Sequence, residues 1–228
     1  MPRGPRIVVP GYPHHVTQRG NNRQAVFFVD EDRRFFMDQL FEAAERHGLT
    51  VESYCLMSNH FHLVAVPKSK DSLHLALKRL DQLYTQYVNG QHHRSGHLWQ
   101  DRYFSCALDE EHYWKAMAYV ELNPVRASLV PYAWDWPWSS AVAHCGGRDA
   151  TRLLSLDVWG RQPGVDAWRE NLCRGQDPKL VEQIRRNTGR GLPMGSDSFI
   201  TKLENVLGRV MRILPRGRPR TKKDDFVI

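Results

Sequence analysis

Residues 57–66 constrain the fold of this chain more than any other stretch, because their β-prone composition predicts a strand that carries two histidines. Side chains on a strand alternate between faces, so Phe61 faces one side of the sheet while His60 and His62 face the other. Two neutral imidazoles on one face make half of a divalent-metal site, or a grip on a phosphate. Histidines on strands also serve as hydrogen-bonded scaffold, so the pair alone leaves its role open.

Length and charge favour a globular protein with a polyanionic partner. The 228 residues are enough for one domain, or one domain plus an appendage, and the formal net charge of +7 favours nucleic acid. No apolar stretch reaches the roughly 20 residues that span a bilayer, and the first residues lack a signal-peptide core. The four cysteines are scattered, which predicts reduced, packed thiols. We therefore expect a cytoplasmic protein without a membrane segment.

The order of predicted elements gives the fold class. The first predicted helix is expected to end at Gly48, and the third is expected to end at Pro124. The predicted strands are residues 8–18, 49–57, 60–66 and 103–108, and the predicted helices are residues 30–47, 72–88 and 109–123. This order predicts an α+β fold: a ferredoxin-like split βαβ antiparallel sheet with helices on one face. The third helix is an added element.

A change in composition after Pro131 indicates a domain boundary. Trp134, Trp136 and Trp138 recur at every second position, which favours an apolar latch at the domain edge over base stacking. We place one domain at residues 1–145 and a helical accessory region at residues 146–228. That region contains an amphipathic segment at residues 196–213, whose shared face carries the apolar residues Phe199, Leu203, Val206, Leu207 and Val210.

The C-terminal tail, at about residues 212–223, is basic. Its arginines Arg216, Arg218 and Arg220 alternate with glycine and proline, in a pattern similar to hooks that enter narrow minor grooves of DNA. A solvated tail is the equal alternative.

Tyr119 and Asn123 are separated by one turn of the third helix, so their side chains lie on the same face. Lys115 lies near that face, while the break at Pro124 leaves the position of Arg126 open. A tyrosine and an amide on one face, beside the histidine strand, would place a nucleophile next to a metal ion.

Five motifs in order resemble the single-tyrosine HUH transposases, and in particular the REP-associated tyrosine transposases. They are residues 16–23 (VTQRGNNR), 56–63 (LMSNHFHL), 98–103 (LWQDRY), 119–127 (YVELNPVRA) and 138–140 (WSS). The resemblance implies a nuclease and strand transferase that cleaves single-stranded DNA beside hairpins of repeated extragenic palindromes (REP). It implies Tyr119 as nucleophile and His60, His62 and Asn123 as ligands of Mg²⁺ or Mn²⁺. It also favours a monomer over a homodimer.

The resemblance leaves several basic residues and two alternative functions to be weighed. Natural DNA contacts are Arg19, Arg23, Arg102, Lys115 and Arg126. One alternative is a domesticated protein that binds structured single-stranded DNA without cleaving it. Another is a metal-dependent phosphoester hydrolase that uses His60, His62 and a loop histidine such as His97. We leave His14, His15, His92 and His93 without an assigned role.

Overall fold

Four strands form one antiparallel sheet in the computed structural model of the chain, which describes residues 6–156 and 164–212. The strands are β1 (His14–Arg19), β2 (Leu49–Leu56), β3 (His60–Pro67) and β4 (Phe104–Ala107). Their order is β2-β3-β1-β4, so the chain crosses over between β1 and β2 and again between β3 and β4. This is the split βαβ arrangement of a ferredoxin-like fold, and the predicted fold class is confirmed.

Two long helices cover one face of the sheet. Helix α1 spans Asp30–His47 as predicted, and Gly48 ends it in the left-handed conformation at φ 64°. Helix α2 spans Ser72–Gln91, three residues longer than the prediction. Both helices pack on the sheet residues that alternate with the histidines, including Val16, Phe61 and Leu63, and all of these side chains are fully buried. This face is the main apolar core.

Helix α3 (Glu110–Glu121) lies on the opposite face of the sheet. The predicted end at Pro124 is wrong by a few residues, because the chain bends at Leu122 and starts a second short helix, α4 (Asn123–Arg126). Pro124 occupies the first turn of α4, where its missing N–H costs nothing. The bend carries Arg126 back along α3.

The first strand begins at His14, six residues later than predicted. A turn precedes it, closed by the Tyr12 amide donating to the Val9 carbonyl at 3.2 Å. Gly11 adopts φ 76° within that turn, and residues 8–13 are not part of the strand. Only the part of the alternating apolar pattern that follows this turn therefore forms a strand.

The tryptophan segment seals the edge of the sheet beside β2. Trp136 donates its indole N–H to the Leu56 carbonyl at 3.0 Å, and the Leu56 amide donates to the Trp138 carbonyl at 2.9 Å. Trp138 packs on the core under α1 and α2, while Trp136 packs on the α3 side. A short helix, α5 (Ala141–His144), follows. These contacts favour the latch interpretation for Trp136 and Trp138.

The C-terminal region contains three further helices: α6 (Gly164–Arg174), α7 (Pro178–Arg190) and α8 (Asp197–Leu207). Helix α6 packs on α3, α7 packs on β4 and β1, and α8 packs beside the end of β4. After α7, Met194 forms a bridge to Leu108 beside the edge strand β4, and its amide donates to the Ala107 carbonyl at 2.8 Å. In the predicted amphipathic segment, Phe199 and Leu203 are buried, but Val206 is 70% exposed. The predicted helical extent to residue 213 is wrong, since α8 ends at Leu207 and Val210 lies outside it, and the part of the apolar face after Leu203 is exposed.

Cysteine placement agrees in part with the expectation of packed thiols. Cys55, Cys106 and Cys145 are buried free thiols, whereas Cys173 on α6 is exposed. Within residues 6–156 and 164–212, no helix combines the length and apolar character needed to cross a bilayer. The predicted tail arginines Arg216, Arg218 and Arg220 lie outside the described residues, and the division at residue 145 stays a prediction.

Candidate functional site

The two histidines of β3 face away from the core under α1 and α2. Antiparallel pairing sets Thr17 of β1 opposite His62 and Arg19 opposite His60. The same alternation puts His15 on this face, beside His62. The polar residues of β1 and β3 therefore line one cavity of about 450 Å³, closed on its other sides by α3, α4 and α7.

Hydrogen bonds occupy one nitrogen of each histidine in the pair. The Asn59 amide oxygen lies 2.6 Å from His60 Nδ1, and because that oxygen only accepts, His60 Nδ1 carries the proton. His62 Nδ1 lies 2.9 Å from His15 Nε2, and His15 Nδ1 lies 2.8 Å from the Thr188 hydroxyl. Two proton arrangements satisfy both contacts, and the one that suits a metal ligand has protons on His62 Nδ1 and His15 Nδ1. This assignment leaves the Nε2 lone pairs of His60 and His62 free.

Burial keeps these imidazoles uncharged at neutral pH. It lowers the pKa of His60 to about 4 and that of His15 to about 3, with Arg19 adding to the effect on His60 and Arg126 to that on His15. Burial, and then the neighbouring His60, hold the pKa of His62 well below its usual value. Neutral imidazole is the form that binds a metal ion, so the pair is ready to act as ligands without first losing a proton.

Tyr119 projects from α3 toward the same histidines. Its ring makes edge contacts with the rings of His15 and His62, with centroids at 5.3 and 5.5 Å. The side chain is only 3% exposed, yet it lines the cavity. The structure thus brings the predicted nucleophile to the predicted metal ligands.

Asn123 lines the cavity at the bend between α3 and α4. Its amide nitrogen donates to the Tyr119 and Val120 carbonyls, both at 3.1 Å, and so satisfies orphan carbonyls at the end of α3. The amide oxygen takes no part in these bonds. Asn123 therefore caps the tyrosine helix with one end of its amide and keeps an oxygen for the cavity.

Three arginines surround the tyrosine and histidines. The Arg126 guanidinium lies 4.3 Å above the Tyr119 ring and donates Nη2 to the Tyr119 carbonyl. Its Nε and Nη1 are buried, with no hydrogen-bond partner among the described residues. Arg19 and Arg185 line the same cavity. Burial lowers the pKa of Arg126 to about 10, opposed by Tyr119 and assisted by Arg185, so it remains a cation at neutral pH.

Several predicted residues lie elsewhere. The Lys115 ammonium is not in the cavity, because it pairs with Glu111 at 2.5 Å on the exposed side of α3. Arg23 is in the turn after β1, and Arg102 lines two neighbouring cavities. His97 lines one of those cavities and not the one that contains His60 and His62, which removes the support for the hydrolase alternative.

Three residues of the cavity were missed by the sequence interpretation: His15, Arg185 and Thr188. For His15 a signal existed, since His15, Thr17 and Arg19 alternate on β1 in the same way as His60 and His62 on β3. Arg185 and Thr188 lie on one face of α7, about 60 residues beyond the tyrosine helix. Nothing local in the sequence connects that face with the cavity.

A second buried polar network lies on the other side of α3. Glu121 follows Tyr119 by two residues, which rotates it by about 200° around the helix. Its Oε1 accepts from the Ser140 hydroxyl at 2.6 Å and from His144 Nδ1, and its Oε2 accepts from the Trp168 indole at 2.9 Å. Glu121 is 0% exposed. This network ties α3 to α5 and α6 away from the cavity.

The donor set around the cavity suits a divalent cation. Two imidazole Nε2 atoms with fixed proton positions and one amide oxygen can hold an ion, and the outer hydrogen bonds from Asn59 and His15 orient the rings. In the described residues, no group of three or more His, Cys, Asp or Glu side chains could hold a metal. Any site here therefore depends on the amide and on further oxygens from substrate or water.

Comparison with known proteins identifies the family. The family described as "Transposase IS200 like" matches residues 9–123, just over half of the chain. A Haemophilus influenzae Rd protein named "Putative REP-associated tyrosine transposase" is 23% identical over 172 residues, covering 68% of this chain and 95% of the relative.

The fold agrees with a solved structure. A REP-associated tyrosine transposase bound to a REP hairpin superposes with a TM-score of 0.56 and 18% identity, over 69% of this chain and 90% of that one. At this identity the likeness concerns the fold alone. Together with the family match over the strands, the tyrosine helix and the histidine pair, it gives the conclusion that this chain belongs to the IS200-like transposase family and is a transposase.

Proposed function

We propose that this transposase is a metal-dependent single-stranded DNA endonuclease and strand transferase that acts through a phosphotyrosine intermediate. The observation that carries the proposal is the contact of the Tyr119 ring with both His15 and His62, inside a cavity that also contains Arg126. A nucleophile, a pair of neutral imidazoles and a phosphate-binding cation in one cavity are the groups that phosphodiester transfer requires.

Tyr119 is the proposed nucleophile. A phenol with an ordinary pKa near 10 is a poor nucleophile at neutral pH, so nearby positive charge must stabilise the developing phenolate. Arg126, above the ring at 4.3 Å, supplies such a charge, and the buried N–H groups of its guanidinium suit a phosphate oxygen.

The covalent step exchanges one phosphate ester bond for another. The Tyr119 oxygen attacks phosphorus and the bond to the 3′ oxygen breaks. The tyrosine loses its proton and the leaving 3′ oxygen gains one. The 5′ side of the break is then attached to the protein, and a free 3′-hydroxyl remains. Attack by a 3′-hydroxyl on the phosphotyrosine reverses the chemistry, so joining to another strand needs no external energy source.

His60, His62 and Asn123 would hold the metal, through the two Nε2 atoms and the amide oxygen. Mg²⁺ or Mn²⁺ fits this set better than a closed zinc site, because phosphate and amide oxygens complete the coordination. When bound, the ion would neutralise charge on the phosphate and favour the phenolate. His15 and Thr188 would act as positioning residues that fix the proton on His62 Nδ1.

REP-like hairpins in single-stranded DNA are the proposed substrate, by analogy with the relatives named above. Arg19, Arg23, Arg102 and Arg126 are proposed DNA contacts, as is Lys115 from its exposed position. The tail arginines Arg216, Arg218 and Arg220 are proposed to add affinity. We further propose that the protein works as a monomer in the cytoplasm, with residues 146–228 as its accessory region.

A covalent adduct tests the nucleophile. Wild-type protein with Mg²⁺ or Mn²⁺ and a hairpin-flanked single strand should give a protein–DNA species that survives a denaturing gel. Tyr119→Phe should abolish this species and keep hairpin binding within about twofold, since only the hydroxyl is lost. Tyr113→Phe is the matched control, because Tyr113 is a buried tyrosine of the same helix that does not line the cavity.

Three outcomes of this gel decide between the functions. An adduct with Tyr119→Phe would show that another residue is the nucleophile. Tight hairpin binding by the wild type without any adduct or cleavage would favour the non-cleaving binder. Cleavage without an adduct at any time would indicate direct hydrolysis, and the proposed strand transfer would then be wrong.

A further inference from the structure

A second cavity adjoins the one that contains Tyr119. It has a volume of about 360 Å³ and lies between the edge strand β4 and the C-terminal end of α7. Phe104, Thr188 and Gly189 line both cavities, so the two are continuous along β4. At this junction, Gly189 has no atom within 4 Å of the position that a Cβ would take.

The second cavity is lined by four arginines: Arg6, Arg102, Arg190 and Arg209. Among the residues that the structure describes, no Asp or Glu lines either cavity, and the first contributes three more arginines. Asp81 and Asp101 act on Arg6 from the neighbouring surface, outside the lining. Seven guanidiniums thus lie along two adjoining cavities whose described lining residues include no acid. Such an excess of one charge is costly in the free protein and is relieved by a bound polyanion.

Arg6 is held in place for such a role. Its Nε and Nη2 donate to the Tyr103 carbonyl at 3.1 and 3.0 Å, and its guanidinium carbon lies 3.8 Å above the Tyr103 ring. Burial, with a contribution from Arg102, lowers the pKa of Arg6. The protein therefore fixes one cation beside another instead of letting them separate in solvent. This arrangement fits successive phosphates of one strand better than a single small anion.

Phe104 supplies the other element of single-strand binding. It is partly exposed and lies at the junction of the two basic cavities. Proteins that bind single strands combine a basic groove with aromatic rings on which bases stack. A base at Phe104 would have its flanking phosphates near the two groups of arginines.

We propose that the cavity formed by Arg6, Arg102 and Arg190 binds backbone phosphates of the unpaired strand on one side of the scissile phosphate. This rests on the proposed function, because it places the scissile phosphate at Tyr119. The path runs from the cavity of Tyr119 past Phe104 to the end of α7. The C-terminal region thereby takes part in holding the strand that is cut.

The test compares two double variants in the Tyr119→Phe background, where DNA binds without being cleaved. Arg102→Gln with Arg190→Gln removes two cations from the second cavity. Arg46→Gln with Arg79→Gln removes the same charge from exposed positions on α1 and α2, across the sheet. The ligand is a hairpin with single-stranded flanks on both sides, and its dissociation constant is measured against NaCl concentration.

We expect the first variant to bind about tenfold more weakly at 0.1 M NaCl. Its plot of log K against log salt should be less steep by about 1.4, from two lost contacts at about 0.7 each for a single strand. The control variant should keep the wild-type slope. Equal thermal midpoints for the two variants show that the fold is intact. An unchanged slope in the first variant, or the same change in both, would overturn the proposal.

Shortening the DNA identifies which part of it occupies the cavity. Removing one flank should weaken wild-type binding as much as the double variant does, and the two changes together should add little. If the loss of affinity from shortening and the loss from the double variant add, whichever flank is removed, the proposal is overturned. Retention of the variant's defect on a blunt hairpin would assign the cavity to duplex DNA and would also overturn it.

Adduct formation separates this inference from the proposed function. The wild-type protein, with Tyr119 intact and DNA at saturating concentration, should form the adduct, and this result does not depend on the second cavity. A wild-type protein that forms no adduct would contradict the proposed function, whereas a normal adduct with an unchanged salt slope would contradict only the second cavity.

Discussion

Two buried polar networks lie on opposite sides of α3, and they use similar residues for different roles. Around Glu121, the two carboxylate oxygens accept from Ser140, His144 and Trp168, and the cluster is sealed from solvent. Around His62, the hydrogen bonds run outward through His15 to Thr188 and leave the Nε2 atoms toward a cavity. One network completes its bonding within the protein, and the other is incomplete until a ligand arrives.

This difference separates stability from chemistry along a single helix. A buried carboxylate with all its partners holds α5 and α6 to α3 and fixes the rotation of the helix, and thus the direction of Tyr119. The network around His62 contributes less to holding the helix in place, because part of its hydrogen-bonding groups is left for a ligand. We therefore expect substitutions in the two networks to have different consequences, although the residues concerned are only a few positions apart.

Glu121→Ala should give the largest effect, a loss of about 3–5 kcal/mol in the free energy of unfolding. The substitution leaves the buried Ser140, His144 and Trp168 donors without an acceptor. Urea denaturation followed by circular dichroism measures the change. His62→Ala is the counterpart in the open network and should lose less than half as much stability, while abolishing adduct formation. Equal losses of stability would show that the two networks do not differ in the way proposed.

Thr188→Val should give an intermediate effect, a fall of about tenfold in Mn²⁺ affinity. Valine keeps the shape but removes the hydroxyl that hydrogen-bonds His15 Nδ1, so the chain of hydrogen bonds that orients His62 loses its last partner. Isothermal titration calorimetry with Mn²⁺ measures this without DNA. Thr188→Ser restores the hydroxyl and should recover most of the affinity. If serine and valine behave alike, Thr188 acts by packing and not by orienting the histidines.

The sequence was sufficient where a local period decides the structure. The period of two places His60 and His62 opposite Phe61 on β3, and one helical turn places Tyr119 and Asn123 together. Helix α1 was also predicted to the residue, because its apolar positions recur at helical spacing and Gly48 marks its end. These features depend on neighbours within a few positions, and the sequence states them directly.

The sequence was insufficient where distant segments meet. Thr188 reaches His15 only because α7 packs across the sheet, a contact that spans 173 positions. Lys115 shows the converse, since helical spacing placed it near Tyr119 while its actual partner is Glu111, one turn earlier. Spacing gives the face of a helix, but the direction of a long side chain is decided by the nearest opposite charge.

Asp81 on α2 is a carboxylate whose bonding is intermediate between the closed network of Glu121 and the open network of His62. Its substitution should give the smallest effect. Its Oδ2 accepts from the Gln18 amide at 3.0 Å, as a closed network would require, but its Oδ1 is buried without a partner among the described residues. Burial raises its pKa to about 7, against opposing effects of the Gln18 hydrogen bond and of Arg6. The charged form is thus poorly accommodated, unlike the fully bonded Glu121.

The direction of the pH dependence follows from this raised pKa. Between the unfolded value of 3.8 and about 7, the folded state binds more protons than the unfolded state. Stability from Asp81 is therefore fully present below pH 3.8 and is lost as the pH rises through 7.

Asp81→Asn removes the charge and keeps an oxygen for Gln18, so it should stabilise the protein by about 1 kcal/mol at pH 8 and by much less at pH 5. Urea unfolding at the two pH values measures the difference, with Asp38→Asn on the exposed side of α1 as the control. If Asp81→Asn is instead the less stable protein at pH 8, the carboxylate has a partner in solution, and Asp81 belongs with Glu121 among the satisfied networks.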